Sequence, residues 1–103
     1  VRTIRWTERA ATDLLAIGDY IAADNPDAAW RWVERLRKRA VKASRTPRGG
    51  RVVPEIGRDD VREVFVGAYR IVYRVMPREI VVLTVFEGHR LLSGSPDVTP
   101  EDS

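Results

Sequence analysis

Apolar residues recur at two different periods along this chain, and the place where the period changes divides it into a helical half and a stranded half. After residues 2–6, which read as a short first strand, Ala10, Leu14, Ile17 and Tyr20/Ile21 return at helical spacing as far as about Ala23. Thr7 stands where an N-cap is needed, with a hydroxyl that accepts one of the amide hydrogens the first turn leaves unmatched. Asp24-Asn25-Pro26 stops this helix and starts another, because Pro is tolerated at the first helical position and Asn25 can cap it. The second helix carries Ala29, Val33, Leu36, Ala40 and Ala43 along one stripe. So short a break between two helices predicts a tight hairpin.

Thr46-Pro47-Arg48-Gly49-Gly50 ends the second helix, and residues 51–55 cross to a region of different composition. Val61–Val66, Tyr69–Met76 and Glu79–Glu87 are rich in β-branched and aromatic residues and read as three strands. Gly67-Ala68 joins the first two, and Gly67 suits the first central position of a type II′ turn. A turn around Pro77-Arg78 joins the second and third. With Val66 opposite Tyr69 and Val75 opposite Ile80, one sheet face collects Val64, Val66, Tyr69, Ile71, Tyr73, Val75, Ile80, Val82, Thr84 and Phe86 and must pack on the helices. The other collects Glu63, Phe65, Arg70, Val72, Arg74, Val81, Leu83, Val85 and Glu87, too apolar to lie bare, so the chain's tail or another protein is expected over part of it. The prediction is an α+β domain of order β-α-α-β-β-β, an antiparallel sheet packed against an N-terminal α-helical hairpin. It occupies residues 1–92 and is followed by a loosely ordered acidic tail at 93–103.

Composition narrows the chemistry. A chain of 103 residues fits one domain, and its 44% hydrophobic and 32% charged residues describe a globular protein with no apolar run near the ~20 residues a bilayer crossing takes. Residues 1–20 carry charges throughout, so no secretory leader is expected and the expected location is the cytoplasm. With no cysteine and one histidine, neither disulfides nor a metal site is implied, and no cofactor is. The net charge of +3 understates the pattern: between Arg31 and Arg51 nine Lys and Arg side chains face only Glu34. Such a basic helix is either a solvated face that meets an acidic partner or a surface that attracts nucleic acid.

Surplus apolar surface points to a partner. Trp30 lies about 100° off the second helix's core stripe at 3.6 residues per turn, beside Arg37 and Val41. The first helix has a second strip of Ala11, Leu15, Gly18 and Ala22, more than one neighbour needs. Together they suggest a groove for an amphipathic helix, half-exposed packing residues being the alternative. Trp32 reads as core, and Trp6 as core or hairpin edge.

The order of these elements, with the phrases Asp24-Asn-Pro, Pro54-Glu, Arg62-Glu, Tyr69-Arg-Ile-Val-Tyr-Arg-Val and Gly88-His-Arg, resembles the RelE/ParE toxins of type II toxin–antitoxin modules over residues 2–92 and sits closer to ParE. The resemblance implies a growth-inhibiting toxin held inactive by a cognate antitoxin, with Leu15, Trp30, Arg37, Val41 and Arg74 as candidate antitoxin contacts in a toxin–antitoxin hetero-oligomer. It leaves the target open, since the ParE branch poisons DNA gyrase whereas the RelE branch cleaves messenger RNA on the ribosome.

Cleavage needs a base, fixed cations and an acid around one phosphate. By that resemblance Arg70 and Arg90 match two arginines of the ribonuclease site, but its lysine positions fall on Val61 and Glu63 and its tyrosine position on Pro96. His89 is the one residue that could supply the missing proton transfer, its other reading being a strand-end histidine bonded to backbone or solvent. Arg70 and Arg74 likewise either clamp a phosphate or pair with carboxylates, and Glu87 is expected beside them. The sequence thus favours ParE-like inhibition of gyrase, with Arg70, His89 and Arg90 catalytic only if the protein is a ribonuclease. A relative that keeps antitoxin binding alone is the third alternative.

Overall fold

A computed structural model of the chain describes residues 2–88. Its elements are β1 (Thr3–Trp6), α1 (Glu8–Ala22), α2 (Pro26–Arg45), a 3-10 turn at Pro47–Gly49, β2 (Arg51–Val52), β3 (Val61–Val66), β4 (Tyr69–Val75) and β5 (Glu79–Glu87). Both helices start where the sequence says they do. The Thr7 hydroxyl accepts from the Ala10 amide at 3.1 Å, and the Asn25 side chain accepts from the Ala28 amide at 3.0 Å, each satisfying a donor of the first turn.

The sheet has five strands in the order β1-β5-β4-β3-β2. Beyond the three long antiparallel strands it gains β1, which runs parallel to β5 with Thr3 opposite Glu79, and the two-residue β2 at the other edge. The sheet is therefore mixed rather than antiparallel throughout. Gly67 has φ +57°, as a type II′ turn demands, and Val66 lies opposite Tyr69.

At the β4–β5 pairing the expected register holds at first and then slips. Val75 faces Ile80 and Tyr73 faces Val82, but Val72 faces Thr84, so Leu83 is an extra residue on β5. A one-residue bulge exchanges the faces of everything beyond it. Val85, expected outside, packs in the core beneath the helices, while Phe86, expected inside, packs on the outer cluster. Glu87 lies opposite Tyr69 rather than among the arginines. The irregularity is held from α1: Asp13 Oδ2 accepts both the Thr84 hydroxyl, at 2.6 Å, and the Val85 amide, at 3.2 Å.

Two apolar clusters result. Leu14, Leu36, Val64, Val66, Ile71, Tyr73, Ile80, Val82 and Val85 fill the layer between helices and sheet. Val72, Val81 and Leu83 on the far face are equally buried, together with Val53 and Val61 and with Ile56, Met76 and Phe86 packed against them. The sequence pattern leaves this far face for the tail or a second protein. Among the described residues the 53–60 loop supplies much of the cover, folded back by Gly57, whose φ is +70° and whose amide donates to the Val53 carbonyl at 2.9 Å.

Candidate functional site

The second apolar strip of α1 meets the edge of α2 in an open groove of about 350 Å³ lined by Trp6, Ala11, Leu14, Leu15, Gly18, Asp19, Val33 and Arg37. Gly18 lets the helices come close there, since a Cβ on it would stand 3.2 Å from a Val33 methyl. Leu15 is 68% exposed, and Trp30 and Val41 are 70% and 42% exposed. At 100° per residue Trp30, Arg37 and Val41 lie within about 40° of one another on α2, so the groove continues into an apolar ridge along that helix. Its polar groups are Asp19 and Arg37, the latter 3.9 Å from Glu34. Four of the five candidate antitoxin contacts, Leu15, Trp30, Arg37 and Val41, thus share one helical surface. Arg74 does not join them. It lies on the far face of the sheet, where its Nε donates to Asp60 Oδ2 at 3.1 Å.

Arg70 lies on that far face too and is only 4% exposed. Its Nε donates to Glu63 Oε1 at 2.9 Å and its Nη2 meets the same oxygen, while Nη1 and Nη2 each reach a Glu55 oxygen at 3.2 Å. Glu63, 1% exposed, also receives the Arg51 guanidinium, and Arg70 stacks 5.0 Å from the Phe86 ring centroid. Burial acts to lower the Arg70 pKa, but the hydrogen bonds it donates to Glu55 and Glu63 outweigh it and raise it above its usual value. The guanidinium is held charged, with its donors committed to carboxylates. Nearby, burial would raise the Asp60 pKa, yet hydrogen bonds from Arg58 and Arg74 hold it below the ordinary carboxylate value.

His89 and Arg90 lie outside the described residues, as does the tail. Among the described residues no helix is long and apolar enough to cross a membrane, and no cluster of three or more His, Cys, Asp or Glu could hold a metal ion. Sequence reasoning missed two residues. Trp6, set aside as core or edge, lines the groove; only its place at the end of a strand running into α1 could have suggested that. In the sequence Glu55 is part of the segment that crosses to the strands, and its partnership with Arg70 depends on a loop fold that carries no periodic signal.

Comparison with known proteins agrees with this architecture. The chain belongs to the ParE toxins of type II toxin–antitoxin systems, parDE, whose family model matches residues 4–92. A curated relative from Sinorhizobium fredii (strain NBRC 101917 / NGR234), named "Putative toxin Y4kP", is 38% identical over 92 residues, covering 86% of this chain and 91% of its own. Among solved structures, a chain of the chromosomal ParDE TA system from P. aeruginosa superposes with a TM-score of 0.69 at 25% identity, covering 84% of this chain and 95% of that one.

Proposed function

We propose that this ParE-family toxin acts in the cytoplasm by binding DNA gyrase and stalling it without catalysing a reaction of its own, and that a cognate antitoxin neutralises it by laying an amphipathic helix in the α1/α2 groove. The observation that carries the reading is the state of Arg70. A phosphate clamp needs a guanidinium with donors to spare, whereas this one is buried between Glu63 and Glu55. The positions that the ribonuclease branch fills with lysine hold Val61, which is buried, and Glu63, which is Arg70's own partner. Family membership and the exposed apolar strip support the antitoxin.

The test is to add purified protein in excess to gyrase supercoiling relaxed plasmid, and in parallel to follow labelled thymidine and methionine incorporation after induction without antitoxin. Loss of supercoiling, with DNA synthesis failing first, is expected. Intact supercoiling at saturating toxin, or protein synthesis failing first with messages cut at ribosomes, overturns the reading.

A further inference from the structure

The cations of this molecule fall into two populations. Those of the sheet and its loops are largely neutralised in place: Arg5 by Glu79, Arg48 and Arg62 by Asp59, Arg51 and Arg70 by Glu63, Arg58 and Arg74 by Asp60. On α2 the opposite holds. Among the described residues, Arg31, Arg35, Lys38, Lys42 and Arg45 have no carboxylate within ion-pair distance, and Glu34, the helix's one acidic residue past its first turn, is taken by Arg37. Their spacing of four, three, four and three residues makes a single row down one face, about 21 Å long at 1.5 Å per residue. The half-buried Arg39 lies alongside, with an Nη1 that meets no acceptor.

This row forms one wall of a cleft of about 430 Å³ whose lining is Arg35, Lys38, Arg39, Lys42, Phe65, Val66 and Gly67. The opposite wall is the β3–β4 turn, fixed against α2 because Gly67 sits on the Trp32 ring, itself edge-on to Tyr69 at 5.4 Å and covered by Arg35 at 4.4 Å. Phe65 is 46% exposed at the rim, with the Arg51 guanidinium 5.5 Å from its centroid.

A file of uncompensated cations tracks a chain of phosphates, and an exposed ring beside it offers a stacking surface to a base. An acidic peptide would satisfy the cations but has no use for the ring; a duplex keeps its bases stacked on each other. We propose that the cleft between α2 and the β3–β4 turn binds single-stranded nucleic acid without sequence preference, its phosphates on Arg35, Lys38, Arg39 and Lys42 and a base on Phe65. Among the described residues the lining contains no carboxylate or imidazole, and the proposal is of a site that holds a strand. The proposal is independent of the gyrase reading and survives its failure.

The probe is a fluorescently labelled 15-mer of deoxythymidine, titrated with the full chain by anisotropy from 50 to 300 mM salt, against a duplex of the same length and poly-glutamate. Four phosphate contacts predict a log–log salt slope of about −3 for a single strand, and Lys38→Gln with Lys42→Gln brings it to about −1.5. Phe65→Leu keeps an apolar side chain but loses the ring face, and weakens binding roughly fivefold or more with the salt slope unchanged. Thermal melts confirm that the variants fold. Absence of binding at 50 mM salt, binding of duplex or poly-glutamate as tight as that of the 15-mer, or an unchanged affinity in Phe65→Leu overturns the proposal.

Discussion

Glu63 is the residue on which the far face of the sheet depends. Its carboxylate is almost entirely buried and shared between Arg70 and Arg51, so neutralising it strands the Arg70 charge against Glu55 alone. Removing one partner of a buried pair costs about 3–5 kcal/mol, whereas replacing the pair by apolar groups costs much less. Glu63→Gln should accordingly lower the urea-unfolding free energy by about 3 kcal/mol, and Glu63→Leu combined with Arg70→Met should recover most of it. A catalytic or phosphate-binding Arg70 would behave otherwise: the double variant would be stable yet lose all toxicity. The sequence placed Arg70 and Glu63 on one face correctly, because strand alternation is a strict period of two. It did not reveal their burial, which comes from the 53–60 loop and from Glu55, and no hydrophobic pattern marks a loop that folds back on a sheet.

The elements themselves were legible wherever a local rule fixes them. Thr7 and Asn25 cap as read, and Gly67 turns β3 into β4 with a positive φ. That turn carries a further prediction, since an added Cβ at Gly67 would meet the Trp32 ring at 2.6 Å, on top of the backbone strain of a non-glycine residue at φ +57°. Gly67→Ala should cost about 2 kcal/mol and lower Tm by roughly 10 °C. Gly57→Ala, at φ +70° with nothing within 4 Å, should cost the strain alone and melt higher than Gly67→Ala. What local rules did not give was the bulge at Leu83. It depends on Asp13, a helix residue far away in sequence that accepts the Val85 amide, and the cross-strand pattern on either side of it looks regular. The misplacement of Val85, Phe86 and Glu87 followed from that one unread residue.

For the whole molecule, the exposed strips of the two helices take no part in the core they share with the sheet, which makes that surface separable from stability. Trp30 and Leu15 are exposed, so Trp30→Ala and Leu15→Glu should leave the unfolding curve within about 0.5 kcal/mol of the parent. Each should weaken the antitoxin complex by roughly 30-fold or more in a calorimetric titration, as expected for an anchor worth about 2 kcal/mol. Arg74→Ala, on the other side of the sheet, should leave that affinity unchanged if the antitoxin keeps to the helices. The family fold was readable because element order and hydrophobic period are global properties of the chain; the α1/α2 groove was readable in part, from one surplus strip on α1 and Trp30 on α2. The pairing of β1 with β5 was not, and it bears on how the protein comes into being. Among the described residues β1 finds its sheet partner in β5, and its Thr3 amide donates to the Arg78 carbonyl, more than 70 residues further along the chain. Until β5 has emerged, β1 has no neighbour in the sheet and α1 no bulge to hold, so no shorter nascent chain carries the finished fold.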